Sequence, residues 1–159
     1  PVPEEIDRSR GRTCVADGAG GTDLIVWEQN ARFVVWANEH LNVKFEAKDV
    51  ATIVKMSNSC IIQGVVVYSR FSEYGCEASF ASVSPQWATR SFLKAAFQYP
   101  FVQCGYKRVS FVTMPSNVKA VHLLERLGAK LEGRLRQWFG NEDGLVFGML
   151  KSECRWIMP

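Results

Sequence analysis

The chain has 159 residues, 47% of them apolar and 22% charged, with a net charge of +3. That composition excludes a disordered, collagen-like or membrane-spanning chain and fits a globular domain with one full core. The small positive charge permits a nucleic-acid or acidic cofactor partner without demanding one.

In chain order, "PVPEEIDRSRGR" at 1–12 is polar with two prolines and reads as a flexible arm. Residues 13–159 then form a single domain. "TCVAD" at 13–17 is a short strand closed by "GAGG". From Asp23 to Leu41 the apolar spacing predicts a helix, with Ile25, Trp27, Val34, Val35, Trp36 and Leu41 on one broad face. "VATIVKM" at 50–56 and "CIIQGVVVYSRF" at 60–71 are β-branched strands. Residues 72–75 make a turn, and "CEASFASV" at 76–83 alternates as the returning strand. Three antiparallel strands therefore occupy the middle of the sheet.

"SPQWATRSFLKAAFQYPF" opens with Ser and Pro as helices do, repeats Phe92, Ala96 and Tyr99 at helical spacing, and meets a breaker at Pro100. "YKRVSFVT" at 106–113 is a strand. Asn117 or Ser116 caps a helix that carries Val121, Leu124 and Leu127 on one side and stops at Gly128. "AKLEGRLRQWF" is a strand, "GNEDG" a turn and "LVFGMLKSE" its return. The order predicts an α/β fold with a mixed, mostly antiparallel central sheet flanked by helices.

The five cysteines, Cys14, Cys60, Cys76, Cys104 and Cys154, show no Cys-x-x-Cys spacing, and His40 and His122 are the only histidines. No metal site is expected. The odd count, with no signal peptide legible, points to a reducing cytoplasm, and no apolar run is long enough for a bilayer. A homodimer is compatible with all of this. Late basic residues (Lys119, Arg126, Lys130, Arg134, Arg136) form a solvated face or a nucleic-acid patch. Trp138, beside Arg134 and Arg136, is either a packing residue or a stacking platform for bases.

Three stretches carry a family resemblance. "YPFVQCGYKRVSFVT" resembles the passage from third helix to fifth strand in the Gcn5-related N-acetyltransferases (GNAT). "NVKAVHLLERLGA" resembles the Asn-x-x-Ala-x-x-Leu-x-x-x-Leu-Gly-Phe of that superfamily, with Ala129 in place of Phe. "LEGRLR" is similar to the Leu-Glu-Gly-x-Leu-Arg of the branch that acetylates ribosomal-protein N-termini, and "GMLKSECRW" resembles short phage and bacterial members. The resemblance covers about half the chain. It implies acyl transfer from acetyl-CoA, or another acyl-CoA, to an amine by direct attack. The acceptor could be a protein N-terminus, a small amine or a nucleobase.

The resemblance also implies a place for the cofactor. Acyl-CoA would lie where the strand ending near Val83 and the strand at 106–113 splay apart, its amides pairing with the freed backbone. Asn117 would touch it while capping its helix, or only cap. The pyrophosphate would rest on the loop and helix start formed by Val83, Ser84, Gln86, Trp87, Ala88, Thr89 and Arg90. That loop departs from the family in having no glycine, so Thr89, Ser91 and Arg90 side chains would have to compensate. A backbone N–H near Val83 would stabilise the oxyanion. Glu77 is the candidate base, provided its face of the strand is the cleft face. Leu124 stands where many relatives carry an acid tyrosine. Glu132 and Arg136, from "LEGRLR", would lie near the acceptor, although Arg136 serves a structural salt bridge equally well. The missing glycines and tyrosine also suit a non-catalytic binding module.

Overall fold

The computed structural model describes residues 13–16, 22–27, 31–41 and 43–158; the expected arm at 1–12 lies outside them. The strands are β1 (Thr13–Ala16), β2 (Thr22–Val26), β3 (Ala51–Met56), β4 (Ile62–Ser69), β5 (Gly75–Ser82), β6 (Arg108–Thr113), β7 (Lys130–Leu135) and β8 (Gly144–Leu150). The helices are α1 (Ala31–His40), α2 (Arg90–Gln98) and α3 (Val118–Leu127). The strands form one sheet in the order β1-β2-β3-β4-β5-β6-β8-β7. Every neighbouring pair is antiparallel except β5–β6, which is parallel. This is the mixed α/β architecture expected.

Two expectations need correction. The helix expected from Asp23 begins only at Ala31, because Thr22–Val26 is a strand paired between β1 and β3. Ile25 is buried on the α2 side of the sheet and Val34 on the α1 side, so the supposed single apolar face serves two different cores. Sheet pairing satisfies the backbone of this β-branched run, and the apparent helical period came from joining a strand to a helix. The second helix starts at Arg90, not at Ser84. Thr89 is its N-cap, with Oγ1 accepting from the Phe92 N–H at 3.4 Å, and Ser84–Ala88 is an irregular loop ahead of it.

Strand alternation divides the core. One cluster joins Ile53, Val66, Cys76 and Ala78 to Phe92, Leu93 and Phe97 of α2 and to Leu124 and Leu127 of α3. The other joins Val54, Val65 and Val67 to Phe33, Val34 and Ala37 of α1. Asn117 Oδ1 caps α3 through the Ala120 N–H at 3.2 Å, and Gly128 closes it with φ +101°, a conformation that only glycine adopts cheaply. After α2, Pro100 lies in a π-helical turn (Tyr99–Gln103) that leads toward β6. Among the described residues no helix is long and apolar enough to cross a membrane.

The β5–β6 pair sets the geometry of everything that follows. It holds for three residues only: Gly75 with Arg108, Cys76 with Val109 and Glu77 with Ser110. Past that point β5 continues to Ser82 and β6 to Thr113 without facing each other in register, so the strands diverge. Gly75 closes the base of the V. A Cβ there would sit 2.5 Å from the Arg108 carbonyl oxygen. Higher up, the Phe80 ring of β5 stacks on Phe111 of β6 at 5.7 Å between centroids, on the α2 side. Small at the base and large above, the side chains dictate where pairing ends.

Gly75→Ala should therefore push β6 away from β5 where they are tightest. We expect a loss of about 1–3 kcal/mol, read as a lower urea midpoint with an unchanged m-value. Full stability in this variant would show that the close approach is not required.

Candidate active site

Antiparallel pairing alternates the side to which each residue turns its N–H and C=O. The Val83 N–H donates to the Gln63 carbonyl at 3.1 Å. Val83 is thus spent on β4, and with it Glu77, Ser79 and Ala81. Ala78, Phe80 and Ser82 turn their backbone groups toward β6. On β6, the Lys151 N–H donates to Lys107 O at 2.9 Å, so Val109, Phe111 and Thr113 serve β8 while Val112 faces β5. Above the Glu77–Ser110 pair the groups of Phe80, Ser82 and Val112 have lost their strand partner. A buried or half-buried gap of this kind needs a substitute donor and acceptor. The oxyanion donor expected near Val83 is consequently not the Val83 N–H. The amides of Phe80 and Ser82 are the ones aimed into the gap.

Glu77 sits at the crotch of the V. Its side chain is 15% exposed and faces away from the α2 core, with its Oε2 3.7 Å from Arg70 Nε. Burial pushes its carboxyl above the usual range, and Arg70 pulls it partly back. Of its two states, burial thus favours the protonated one. Cys76, the neighbouring residue, is buried in the α2 core, and its thiol is pushed up to about 12 by burial. It stays protonated and is no nucleophile. His40 bonds back to Trp36 O and His122 pairs with Glu125, both on exposed helix positions.

On the same side of the sheet as Glu77 lies an open groove of about 160 Å³, lined by Arg70, Ser72, Tyr74, Glu77, Arg108 and Ser110 among others. Arg70 has φ +50°, a left-handed conformation at the end of β4. Its guanidinium lies 5.0 Å over the Trp138 ring. Across the groove, Arg108 donates to Ser110 Oγ at 3.1 Å and to Glu132 Oε2 at 2.5 Å. Glu132 is the extra residue of a bulge, since Leu131 pairs with Phe147 and Gly133 with Val146. The bulge re-aims its carboxylate over the backbone of Gly148 and onto Arg108. Arg136 lies beyond the end of β7, exposed in the turn before β8. The salt bridge of that hairpin belongs to Arg134 and Asp143, at 3.0 Å.

The loop expected to hold the pyrophosphate runs along the far end of the gap. Ser84, Ala88 and Thr89 are half-buried, and Val83, Gln86 and Arg90 are exposed. Trp87 is 6% exposed, packed on Gly64 and set between Phe80, which it meets at a tilt, and Phe92, which it meets edge-on. Its ring belongs to the core, and its N–H is used by Ser84 O. Beneath the loop is Lys55 of β3, 3% exposed, its ammonium donating to Gln86 O at 3.0 Å and to Thr89 Oγ1 at 3.4 Å. Asn117 is exposed at the end of β6 that opens from β5. Leu124, at the family's tyrosine position, is buried.

Sequence reasoning missed Lys55, Arg70 and Arg108. Lys55 had a signal, a lone charge inside "VATIVKM". Arg70 and Arg108 had none, because their roles depend on strands brought together by the sheet.

No family model matches the chain, and no curated protein matches it in sequence. Solved structures do. A chimeric spermidine N-acetyltransferase SpeG from Vibrio cholerae superposes with TM-score 0.65 at 18% identity, over 85% of this chain and 98% of that one. Mutant forms of the spermidine/spermine N-acetyltransferase SpeG from the same organism give TM-score 0.65 at 16% identity, over 80% and 94%. A SpeG point mutant gives 0.58 at 21%, over 65% and 66%. This chain has the GNAT fold. The structural likeness thus reaches beyond "NVKAVHLLERLGA" and its neighbours, over 85% of the chain in the chimera. Within this fold β5 diverges from β6 above the Glu77–Ser110 pair.

Glu77 also leaves a thermodynamic signature. Its native carboxyl is raised above the ordinary 4.5. Between those two values the native state holds more protons than the unfolded chain, so this group's contribution to stability falls as pH rises. Glu77→Gln should then melt higher than wild type at about pH 7, with the difference vanishing below about pH 4. A variant that melts lower at neutral pH would show that ion pairing, not burial, governs the residue.

Proposed function

We propose that the protein is an acyl-CoA-dependent N-acyltransferase, with acetyl-CoA as the simplest donor and an amine as acceptor. The observation that carries the reading is the gap above the Glu77–Ser110 pair, with a half-buried carboxylate at its base. The freed backbone groups of Phe80, Ser82 and Val112 suit the amides of a pantetheine arm added like a strand. The rings of Phe80 and Phe111 would form its apolar floor on the α2 side. Bound acyl-CoA would supply the thioester carbonyl.

Glu77 takes the proton from the acceptor ammonium or from the attacking amine, directly or through one water. The N–H of Phe80 or Ser82 stabilises the developing oxyanion. Leu124 offers no proton, so the leaving thiolate is protonated from solvent. Ser84, Gln86, Ala88, Thr89 and Arg90, at the start of α2, would hold the pyrophosphate, while Asn117 would meet the pantetheine. Lys55 takes over part of what a glycine nest does elsewhere. It pins the loop from beneath and adds a positive charge at the helix start. Glu132 and Arg136 flank the acceptor side.

Two measurements test this. Acetyl-CoA at millimolar concentration should raise the melting temperature, and coenzyme A should be released when an amine is added. Spermidine, the substrate named for the structural neighbours, is one such amine. Glu77→Gln should lower kcat by about 10²–10⁴-fold while donor affinity holds. Lys55→Met should weaken acetyl-CoA more than acetyl-pantetheine, which lacks the pyrophosphate. If acetyl-CoA produces no shift at all, the fold serves as a binding module instead. Salt-sensitive binding of DNA or RNA would point to a nucleobase acceptor.

A further inference from the structure

The groove beside Glu77 carries a charge pattern that selects among amines. Its lining holds two guanidiniums, Arg70 and Arg108, against a single carboxylate, Glu77. Lys107 adds a third cation, 5.6 Å from the ring of the groove-lining Tyr74. The Glu132 carboxylate is committed to Arg108. A polycation such as spermidine would meet like charges on both banks.

Arg70 and Arg108 are not equivalent. Arg108 has its fork engaged by Ser110 and Glu132. Among the described residues Arg70 makes the long 3.7 Å approach to Glu77 and lies over Trp138, and its side chain is 59% exposed. The guanidinium lies over the Trp138 ring, and the side chain stays open to solvent where it lines the groove. A planar fork held in this way is a ready bidentate site for a carboxylate or phosphate. The left-handed backbone of Arg70 costs the chain some strain. Such strain persists where a side chain must be aimed in one direction.

The chemistry of the proposed reaction adds a second reason. Once Glu77 has accepted the amine proton it is neutral, and Arg70 loses the carboxylate charge 3.7 Å from it. An anionic group on the acceptor restores that balance at the moment the free amine attacks.

Resting on the acyltransferase reading, we propose that the acceptor is a small amine bearing a carboxylate or phosphate a few bonds from its nitrogen. Arg70 grips the anion and Glu77 the amine. Acyl transfer forms one amide bond, breaks the thioester and passes the amine proton to Glu77.

The test uses the full chain, acetyl-CoA and four amines: β-alanine, β-alaninamide, 2-aminoethyl phosphate and spermidine. At least one of the two anionic amines should exceed both β-alaninamide and spermidine in kcat/KM by about tenfold or more. Which of the two leads tells carboxylate from phosphate. Arg70→Gln should abolish that preference, and Arg70→Lys, which keeps the charge without the fork, should retain part of it. Acetyl-CoA affinity, measured by calorimetry on each variant, reports that it is folded. Equal or better use of spermidine or the amide, no turnover of any of the four by a protein that binds acetyl-CoA, or an anion preference that survives Arg70→Gln, overturns the acceptor class alone. Failure to bind acetyl-CoA overturns the acyltransferase reading beneath it.

Discussion

Three residue pairs at the foot of two parallel strands govern this structure. Because Gly75 lets β5 press against Arg108, the strands meet closely there and nowhere above. A parallel pair that stops after three residues leaves backbone groups without strand partners inside a sheet. The fold is stable around this defect because each strand keeps a complete ladder on its other side, β5 with β4 and β6 with β8. The remaining hydrogen-bonding capacity is concentrated in one slot.

The two faces of that slot differ in kind. On the α2 side lies an aromatic wall of Phe80, Trp87, Phe92 and Phe111, continuous with the main core. On the Glu77 side lies a polar groove with guanidiniums on both banks. Strand alternation makes this division unavoidable, since Phe80 and Glu77 differ by an odd number of positions on one strand. The two faces come together at the crotch, where Glu77 stands.

The loop before α2 shows a different solution to a familiar problem. A glycine-rich turn presents N–H groups by letting the backbone come close. Here Trp87 is folded inward as a core residue, and the turn is held instead by the Lys55 ammonium on Gln86 O and Thr89 Oγ1. Burying a lysine is tolerated because its charge meets hydrogen-bond acceptors at a helix start rather than hydrocarbon.

The sequence by itself determined the elements whose signals are local. The strands at 50–56 and 60–71, the α3 helix between Asn117 and Gly128 and the closing hairpin were legible, because caps, β-branching and turn residues act within a few positions. Its motif likeness also reached the fold. It misled at Asp23–Val26, where a strand abutting a helix imitated one longer helix, and at Ser84, where a Ser-Pro start belongs to a loop. Glu77 was legible as a lone acid in a strand, but not the face on which it lies. Only the tertiary structure decided that, along with the end of β5–β6 pairing, the burial of Trp87, the Lys55 brace and the meeting of Arg70 with Trp138. Each depends on contacts between segments far apart in the chain, and their distances are set by how the sheet packs.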